Sequence, residues 1–494
     1  MPIITENERI ATIIKAGSRT AMNLEEIIKL EISEWKASEE LGWMYVGQRY
    51  YANNPDILRR KRLVIGEGGQ LVEDKNLANN KLVHNFLKKL VKQKVGYLLS
   101  KPLSIQTDNT AYQELLQKYF NKAFLQALKN LGKEAIIKGK AWLHIYYNDQ
   151  GLLSLKRIPA EEIIPLWRDT EHTMLDALIR IYEVETYLGI TKTIVTKVEF
   201  WDTSGVKRYI LSDDQLTPDF EQGEWDSHFR LLVNKAEGGK PGEKLYNWER
   251  IPFICFKYND DEVPLIKDVK SLVDDYDKRK SSNSNDLDDL PNSIYVIKDY
   301  DGTDLGEFRH NLSVYRAVKV TEDGGLETKS LEINTEAYKN HMEMDRKDIY
   351  EFGRGVDTQS DKFGNSPSGI ALKFLYSDLD MDANDFEAEF QAGLEQLRWF
   401  IDQHIANTAR QDFSEETVDF ILNRDILMNE TDTITNAKNS VGIISDETVI
   451  SNHPWVTDAK DELKRVKEER EESLSDYPGL GGENNVGKDD GSED

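Results

Sequence analysis

The chain has 494 residues, of which 31 % are charged, and its formal net charge is −26. This length suffices for two to four domains with their own cores, whereas the acidity argues against a protein that coats nucleic acid through a basic surface. No stretch approaches the ~18 consecutive apolar residues of a membrane span, and the single cysteine, Cys255, excludes an intramolecular disulfide framework and a cysteine-based zinc cluster.

The first 258 residues predict an α+β arrangement. Residues 1–55 have apolar side chains at helical intervals, and two short strands around a glycine turn are expected after Arg62. Asn79 and Asn80 are predicted to cap a helix that runs to about Ser100, and a further helix is expected over 110–138. Segments rich in β-branched and aromatic residues then predict strands near 141–168, 178–188, 193–202, 206–212, 229–234 and 251–258.

The pattern changes after Val263. A helical stripe starts there and is predicted to end in the polar run Ser281–Asp286. A second helix is expected over about 335–352, capped by Asn334 or Thr335. Short strands are predicted between the two helices, at 293–298, 313–320 and 328–333.

A long helix is predicted after a polar loop that covers 353–365. Ser366 is expected to cap it, and Pro367 suits the first helical position because its missing N–H has no partner there. Apolar residues follow at intervals of three and four, at Ile370, Phe374, Phe386, Phe390, Leu394, Leu397, Ile401 and Ile405. A helix unbroken to about residue 409 would be roughly 64 Å long. Such a rod is more typical of a large ring whose subunits span a wall than of a compact enzyme.

The C-terminal residues predict helices over about 415–450 and 457–473. The tail beyond them is acidic and glycine-rich, which predicts disorder.

Charge is distributed unevenly along the chain. Residues 56–140 carry 17 basic against 7 acidic residues, while 376–402 carry 8 acidic residues and one arginine. This segregation indicates surfaces with different partners. The lysines of the basic helix are predicted to form a solvated face or a subunit contact, and they are Lys88, Lys89, Lys92 and Lys94. Aromatic residues do not alternate with them as a groove for single strands requires.

Motifs of nucleotide binding and catalysis are missing from the sequence. It has no phosphate-binding P-loop, no nucleophile elbow, no His-Glu-x-x-His pair and no kinase signature, and its eight histidines occur singly. We therefore predict no catalytic residues and no cofactor.

One acidic cluster matches part of a calcium-loop pattern. Asp378, Asp380, Asp382 and Glu389 stand at its positions 1, 3, 5 and 12, but Ala383 occupies the sixth position, where the loop needs glycine for a sharp turn. The interpretation we favour is an acidic helix face without a metal. The alternative is a metal-dependent nucleic-acid enzyme, such as a nuclease that uses Asp378–Asp382 with a divalent ion.

Four segments resemble the portal proteins of tailed bacteriophages, of the type found in siphophages of Gram-positive hosts. They are 49–62, 79–102, 364–384 and 442–456, which together extend over most of the chain. The resemblance implies a predominantly helical α+β subunit with wing, two-helix stem, small α/β clip, channel loop, long helix and helical crown. The implied bounds are 1–258 for the wing, 259–282 for the first stem helix, 283–333 for the clip, 334–352 for the second stem helix, 353–366 for the channel loop, 367–410 for the long wing helix, 411–473 for the crown and 474–494 for a disordered tail.

The resemblance also implies a function and partners. The family forms a ring, usually of twelve subunits, at one capsid vertex of the virion, and the ring assembles in the host cytoplasm. Double-stranded DNA passes through the ring during packaging and ejection. The implied protein partners are the terminase large subunit, a head-completion or adaptor protein, and capsid and scaffolding proteins, with no membrane. Residues expected to face the DNA channel are Asp357, Gln359, Asp361, Lys362 and Asn365. Another capsid-associated ring adaptor remains an alternative, although such adaptors are normally far shorter.

Overall fold

The structure is a computed structural model that describes residues 23–65, 69–73, 77–188, 191–233, 242–288, 293–300, 304–315, 319–330, 335–359, 369–424, 430–456 and 459–475. These residues belong to two compact units. The first comprises the described parts of 1–96, 126–357 and 378–414, and the second those of 97–125, 358–377 and 415–494. Helices and strands are mixed throughout, in agreement with the predicted α+β class. No helix in the described ranges has the length and apolar character needed to span a bilayer.

Twelve helices lie in the described residues. They are α1 (Leu24–Ala37), α2 (Glu39–Tyr51), α3 (Phe86–Leu99), α4 (Thr110–Tyr119), α5 (Lys122–Lys138), α6 (Ile266–Asp288), α7 (Leu305–Val314), α8 (Thr335–Phe352), α9 (Gly369–Ala409), α10 (Glu430–Ser440), α11 (Asp446–Ser451) and α12 (Ala459–Ser475).

The strands of the described residues pair antiparallel. They are β1 (Leu63–Ile65), β2 (Leu71–Glu73), β3 (Ser104–Gln106), β4 (Lys140–Tyr147), β5 (Leu153–Ile158), β6 (Ile163–Trp167), β7 (Leu175–Leu188), β8 (Thr191–Asp202), β9 (Gly205–Ser212), β10 (Gln215–Pro218), β11 (Trp225–Asp226), β12 (Phe229–Val233), β13 (Gly242–Tyr246), β14 (Phe253–Lys257), β15 (Ser293–Tyr300), β16 (Val320–Ser330) and β17 (Asp419–Ile421). The first unit contains a sheet in the order β10-β9-β8-β7-β6 with β11 on β9, a sheet in the order β14-β4-β5, and the pairs β1-β2, β12-β13 and β15-β16.

The main core of the first unit lies between α1, α2 and the sheet strands. Asn23 and Glu26 form a capping box at the start of α1, in which each side chain accepts from the other residue's backbone N–H at 2.9 Å. The core contains the stacked rings of Trp142 and Trp167, whose centroids are 5.8 Å apart. Cys255 is buried in the same core, and burial raises the pKa of its thiol, so it is an inert packing residue.

Helix α6 continues through the polar run that was predicted to end it. Asp277, Ser281 and Asn285 follow one another at four-residue intervals and are almost fully buried. Their side-chain oxygens accept hydrogen bonds from the backbone N–H groups of His84, Leu82 and Asn80 at 2.9, 2.9 and 2.6 Å. Four residues of helix rise ~6.0 Å and two residues of extended chain rise ~6.6 Å, so the two spacings match. The polar residues therefore serve as hydrogen-bond acceptors for an extended segment.

The same hydrogen bonds between α6 and residues 80–84 show that the predicted start of α3 is wrong. The helix begins at Phe86, six residues after the predicted cap Asn80, because residues 80–84 are extended along α6. Asn85 takes the capping role, since its Oδ1 accepts from the N–H of Lys88 at 3.1 Å.

The segment between α6 and α8 contains β15, α7 and β16. The predicted strand at 293–298 is confirmed as part of β15. Among the described residues of the strand predicted over 313–320, only Val320 lies in a strand, because Val314 ends α7 and β16 begins at Val320. The sequence interpretation missed α7. Its N-terminus is capped by Asp304, whose Oδ1 accepts from the N–H of Glu307 at 2.7 Å.

Helix α9 is 41 residues long, roughly 61 Å at ~1.5 Å per residue. The predicted apolar stripe is buried from Phe386 to Ile405, with each of its side chains no more than 2 % exposed. Phe374 departs from the prediction and is 77 % exposed. The predicted cap Ser366 and the first helical residue Pro367 lie outside the described residues.

The structure corrects two further predictions. The helix expected over 110–138 is two helices separated at Phe120 and Asn121. The start of the segment expected to be helical over 415–450 contains β17, which pairs antiparallel with β3. The ring of Phe420 in β17 lies 5.2 Å from that of Phe120, centroid to centroid. Packing of the apolar alternation Val418, Phe420 and Leu422 explains why a strand forms there.

Candidate functional site

The polar segment between α8 and α9 begins with residues that are hydrogen-bonded to the neighbouring helices. The side-chain amide of Gln93 on α3 forms two hydrogen bonds with the backbone of Val356. Its Nε2 donates to the Val356 carbonyl at 2.6 Å, and its Oε1 accepts from the Val356 N–H at 3.1 Å. The C-terminal turn of α8 is closed by the N–H of Gly353, which donates to the Ile349 carbonyl, and by that of Gly355, which donates to Tyr350. Residues 353–357, here called the loop root, are therefore fixed to α3 and α8.

Close packing at the loop root explains its glycines. A Cβ atom on Gly355 would lie 2.3 Å from Cδ2 of Leu90, and one on Gly353 would lie 2.7 Å from Cδ1 of the same leucine. Any larger residue at these two positions would require either the Leu90 side chain or the loop root to shift. The intervening residue, Arg354, adopts a left-handed φ of 48° without being glycine, which the surrounding hydrogen bonds must stabilise.

A buried ionic cluster lies beneath the loop root. Lys94 on α3 donates from Nζ to Asp382 Oδ2 at 2.7 Å and to the Arg354 carbonyl at 3.1 Å. Asp382 on α9 also accepts at Oδ1 from the Tyr258 hydroxyl at 2.7 Å and from Arg354 Nη1 at 3.2 Å. The side chains of Lys94 and Asp382 are only 1 % and 2 % exposed. We call Lys94, Tyr258, Arg354 and Asp382 the root cluster.

The electrostatics of the root cluster follow from its burial. Burial lowers the pKa of the Lys94 ammonium against the opposing attraction of Asp382, and burial together with Asp382 raises the pKa of the Tyr258 phenol. The paired charges join α3, α9, the residue after β14 and the loop root in one network. The cluster thus has the properties of a structural anchor for the segment that follows.

The structure describes two of the five residues predicted to face a channel. Asp357 accepts from Arg346 of α8 at 2.7 Å and its side chain is 19 % exposed, so part of its charge is neutralised within the subunit. Gln359 is exposed. Asp361, Lys362 and Asn365 lie outside the described residues, and their role stays a prediction.

The acidic residues that match a calcium-loop pattern lie on the continuous helix α9. Asp378 is exposed, Asp380 and Glu389 are half-buried, and Asp382 belongs to the root cluster. A helix spreads these positions around and along its axis, whereas a calcium loop wraps its ligands around one point. Both oxygens of Asp382 already accept hydrogen bonds. The arrangement does not give these four carboxylates a common centre for hydrolytic chemistry.

A cleft in the described part of the first unit, with a volume of about 400 Å³, is also rich in carboxylates. Glu262 lies at this cleft and is paired with Lys140 at 2.6 Å, His172 at 2.6 Å and Lys257 at 3.3 Å. Although burial opposes the effect, His172 and Lys140 hold the pKa of Glu262 well below its usual range. Glu262 therefore stays ionised as part of a structural salt-bridge network.

The lysines of the predicted basic face have different environments. Lys88 lies over the ring of Tyr51 and Lys89 over that of Tyr350, at 5.6 and 4.9 Å from the ring centroids. Lys92 is exposed, as predicted, but Lys94 is buried in the root cluster. The prediction of a solvated face is wrong for Lys94 because its ammonium has a buried carboxylate partner.

Known proteins resemble the chain over most of its length. The family described as "Phage portal protein, SPP1 Gp6-like" matches residues 37–476. The portal protein of Bacillus phage SPP1 is 30 % identical over 451 residues, which cover 91 % of this chain and 86 % of that protein. The portal protein of Clostridium phage phiCD119 is 29 % identical over 437 residues, or 85 % of this chain and 91 % of that protein.

Proposed function

The chain belongs to the SPP1 Gp6-like family of phage portal proteins, and from this membership we propose that twelve copies form a ring that conducts double-stranded DNA. Portal proteins are structural components of the phage capsid that form oligomeric rings, so the chain has a portal function and is not an enzyme. The observation that carries the proposal is the extent of the match, residues 37–476, which includes the loop root, the root cluster and the long helix.

We assign the portal domains as the resemblance implies. The wing is 1–258, the clip is 283–333 between two stem helices, the long wing helix is 367–410 and the crown is 411–473. Support for the stem comes from α6 and α8, which pack against each other. They also leave large apolar side chains exposed in the single subunit: Leu287 is 57 %, Met344 61 % and Phe352 57 % exposed. Neighbouring subunits of a ring would cover such side chains.

The segment that follows the loop root is proposed to line the DNA channel. A rigid root is the arrangement expected of a loop that must hold its position while DNA moves past it. DNA carries one negative charge per ~1.7 Å, and a channel for every sequence must not bind phosphates tightly. The net acidity of the chain would reduce such binding, with Lys362 as the proposed phosphate contact.

The proposed partners follow from the position of the ring at one vertex of the capsid. The clip would bind the terminase large subunit during packaging and a head-completion or adaptor protein afterwards. Capsid and scaffolding proteins would be further partners during assembly in the host cytoplasm. In this scheme the energy for DNA movement comes from the terminase, in keeping with a sequence that lacks a nucleotide-binding motif.

A deletion tests the proposed role of the channel segment. Removing residues 358–362 should leave ring assembly intact but strongly reduce the amount of DNA that is packaged or retained. Asp357 is kept because its ion pair with Arg346 belongs to the loop root. The measurement is the nuclease-protected DNA in capsids that carry the variant ring, with ring assembly followed by sedimentation. Deletion of residues 488–492 in the acidic tail serves as a control of equal length, and normal packaging by both variants would refute the channel role.

A further inference from the structure

Three side chains of metal-binding type converge between helices α6 and α8, apart from the root cluster. Asp275 lies on α6, and His341 and Asp345 lie one turn apart on α8. The four-residue spacing places His341 and Asp345 on one face of their helix. One ligand atom from each of the three side chains lies within 4.8 Å of the others.

Two distances within this group are those expected of ligands around a common centre. Nε2 of His341 lies 3.4 Å from Oδ2 of Asp275 and 3.4 Å from Oδ1 of Asp345. Charge-assisted hydrogen bonds are shorter, ~2.7–2.9 Å. In a tetrahedral site with metal–ligand bonds of ~2.1 Å, neighbouring ligand atoms are about 3.4 Å apart. The two observed distances therefore fit a metal site as well as they fit a weak ion pair.

The carboxylate of Asp345 supplies an independent observation. Asp345 is only 7 % exposed, and its Oδ2 is buried without a hydrogen-bond partner among the described residues. A buried carboxylate oxygen without a donor is unfavourable. The oxygen that lies 3.4 Å from His341 is Oδ1, so a cation bound between the three side chains would satisfy Oδ2 by binding both oxygens of the Asp345 carboxylate. Solvent reaches the group through His341 and Asp275, whose side chains are 40 % and 37 % exposed.

One side chain on α6 competes with a metal ion for the carboxylate of Asp275. Arg279 lies four residues after Asp275 and donates from Nε to its Oδ2. The arginine side chain is 49 % exposed, and exposed pairs of this kind contribute little to stability. A metal ion can therefore displace the guanidinium from Asp275, at some cost in affinity.

We propose that Asp275, His341 and Asp345 bind a divalent transition-metal ion of the zinc class, with water as the fourth ligand. One imidazole and two carboxylates form a ligand set that suits zinc and its neighbours better than calcium or magnesium, which prefer oxygen ligands alone. The bound ion joins α6 to α8 and stiffens this helix pair. The inference goes beyond the proposed portal function and does not depend on it.

Titration of the full-length protein, first freed of metal with a chelator, tests the site. Zn²⁺ should bind with one ion per chain, and Co²⁺ should give the intense visible absorption of tetrahedral coordination. His341→Gln should weaken Zn²⁺ binding by about 100-fold or more, since even changes to residues behind a metal ligand cost ~10–100-fold. Arg279→Gln should tighten it, because Asp275 loses its competing partner.

Two further variants keep the experiment decisive. His453→Gln removes a histidine outside the group and should bind Zn²⁺ as the unmodified protein does. Asp275→Asn replaces a half-exposed ligand and should weaken binding even if His341→Gln folds poorly, with folding checked by circular dichroism. Unchanged Zn²⁺ affinity in folded His341→Gln or in Asp275→Asn, or weaker binding by Arg279→Gln, would overturn the proposal.

Discussion

Replacing Asp382 with alanine is expected to lower the free energy of unfolding by about 3–5 kcal/mol. The substitution leaves the ammonium of Lys94 buried without its carboxylate, because the Lys94 side chain is 1 % exposed and Asp382 is its ion-pair partner at 2.7 Å. It also removes the acceptor of the Tyr258 hydroxyl and one contact of Arg354. The measurement is chemical denaturation at a fixed protein concentration, since ring formation makes stability depend on concentration.

Two comparisons separate the loss of this ion pair from a general loss of stability on substitution in α9. Asp378→Ala changes an exposed aspartate on the same helix and should alter stability by no more than about 0.5 kcal/mol. The double variant Lys94→Met with Asp382→Leu removes both charges, so it should recover most of the stability lost by Asp382→Ala. Equal stabilities of Asp382→Ala and Asp378→Ala would show that the root cluster is not a buried ion pair.

Leu394→Asp is expected to destabilise the chain by more than about 4 kcal/mol, because it places a carboxylate in the apolar stripe of α9. Leu394 is 0 % exposed, and its helix neighbour Gly393 packs so closely that an added Cβ would lie 2.7 Å from the ring of Phe256. Because Leu394 is fully buried, a carboxylate at this position would be cut off from bulk solvent. The loss should appear as a lower denaturation midpoint or as insoluble protein on expression.

The same substitution on the exposed side of α9 is the matched control. Met381 is 59 % exposed, so Met381→Asp adds the same charge to the same helix without burying it. This variant should be within about 0.5 kcal/mol of the unmodified protein. If Leu394→Asp were as stable as Met381→Asp, the predicted buried stripe would be wrong.

Much of the helical part of the fold could be predicted from the period of apolar residues. The stripe from Phe386 to Ile405 and the helix expected over 335–352 were predicted within a few residues. The prediction failed where polar side chains have tertiary partners. Ser281 and Asn285 resemble a helix end, yet they extend α6 because their oxygens accept from an extended segment about 200 residues earlier. A local pattern does not contain such long-range pairings.

The root cluster could have been found in part from its sequence positions. Lys94 follows Leu87, Leu90 and Val91 at helical intervals, and Asp382 precedes Phe386 at the same interval. A charged residue on the apolar stripe of each of two helices indicates a buried pair, although not which residues meet. The hydrogen bonds of Arg354 to Asp382 and of Gln93 to Val356 depend on the turn after α8, so they could not be predicted from local residue spacing.

Electron microscopy of the purified full-length protein would show whether copies of the chain form the proposed ring. We expect annular particles with an open centre, whose symmetry and mass correspond to about twelve subunits of 56.8 kDa. Neighbouring copies of the chain would cover the exposed apolar residues of α6 and α8, which are Leu287, Met344 and Phe352. Uniform single subunits under all solution conditions, and in particles recovered from the virion, would contradict the proposal that the chain forms a ring.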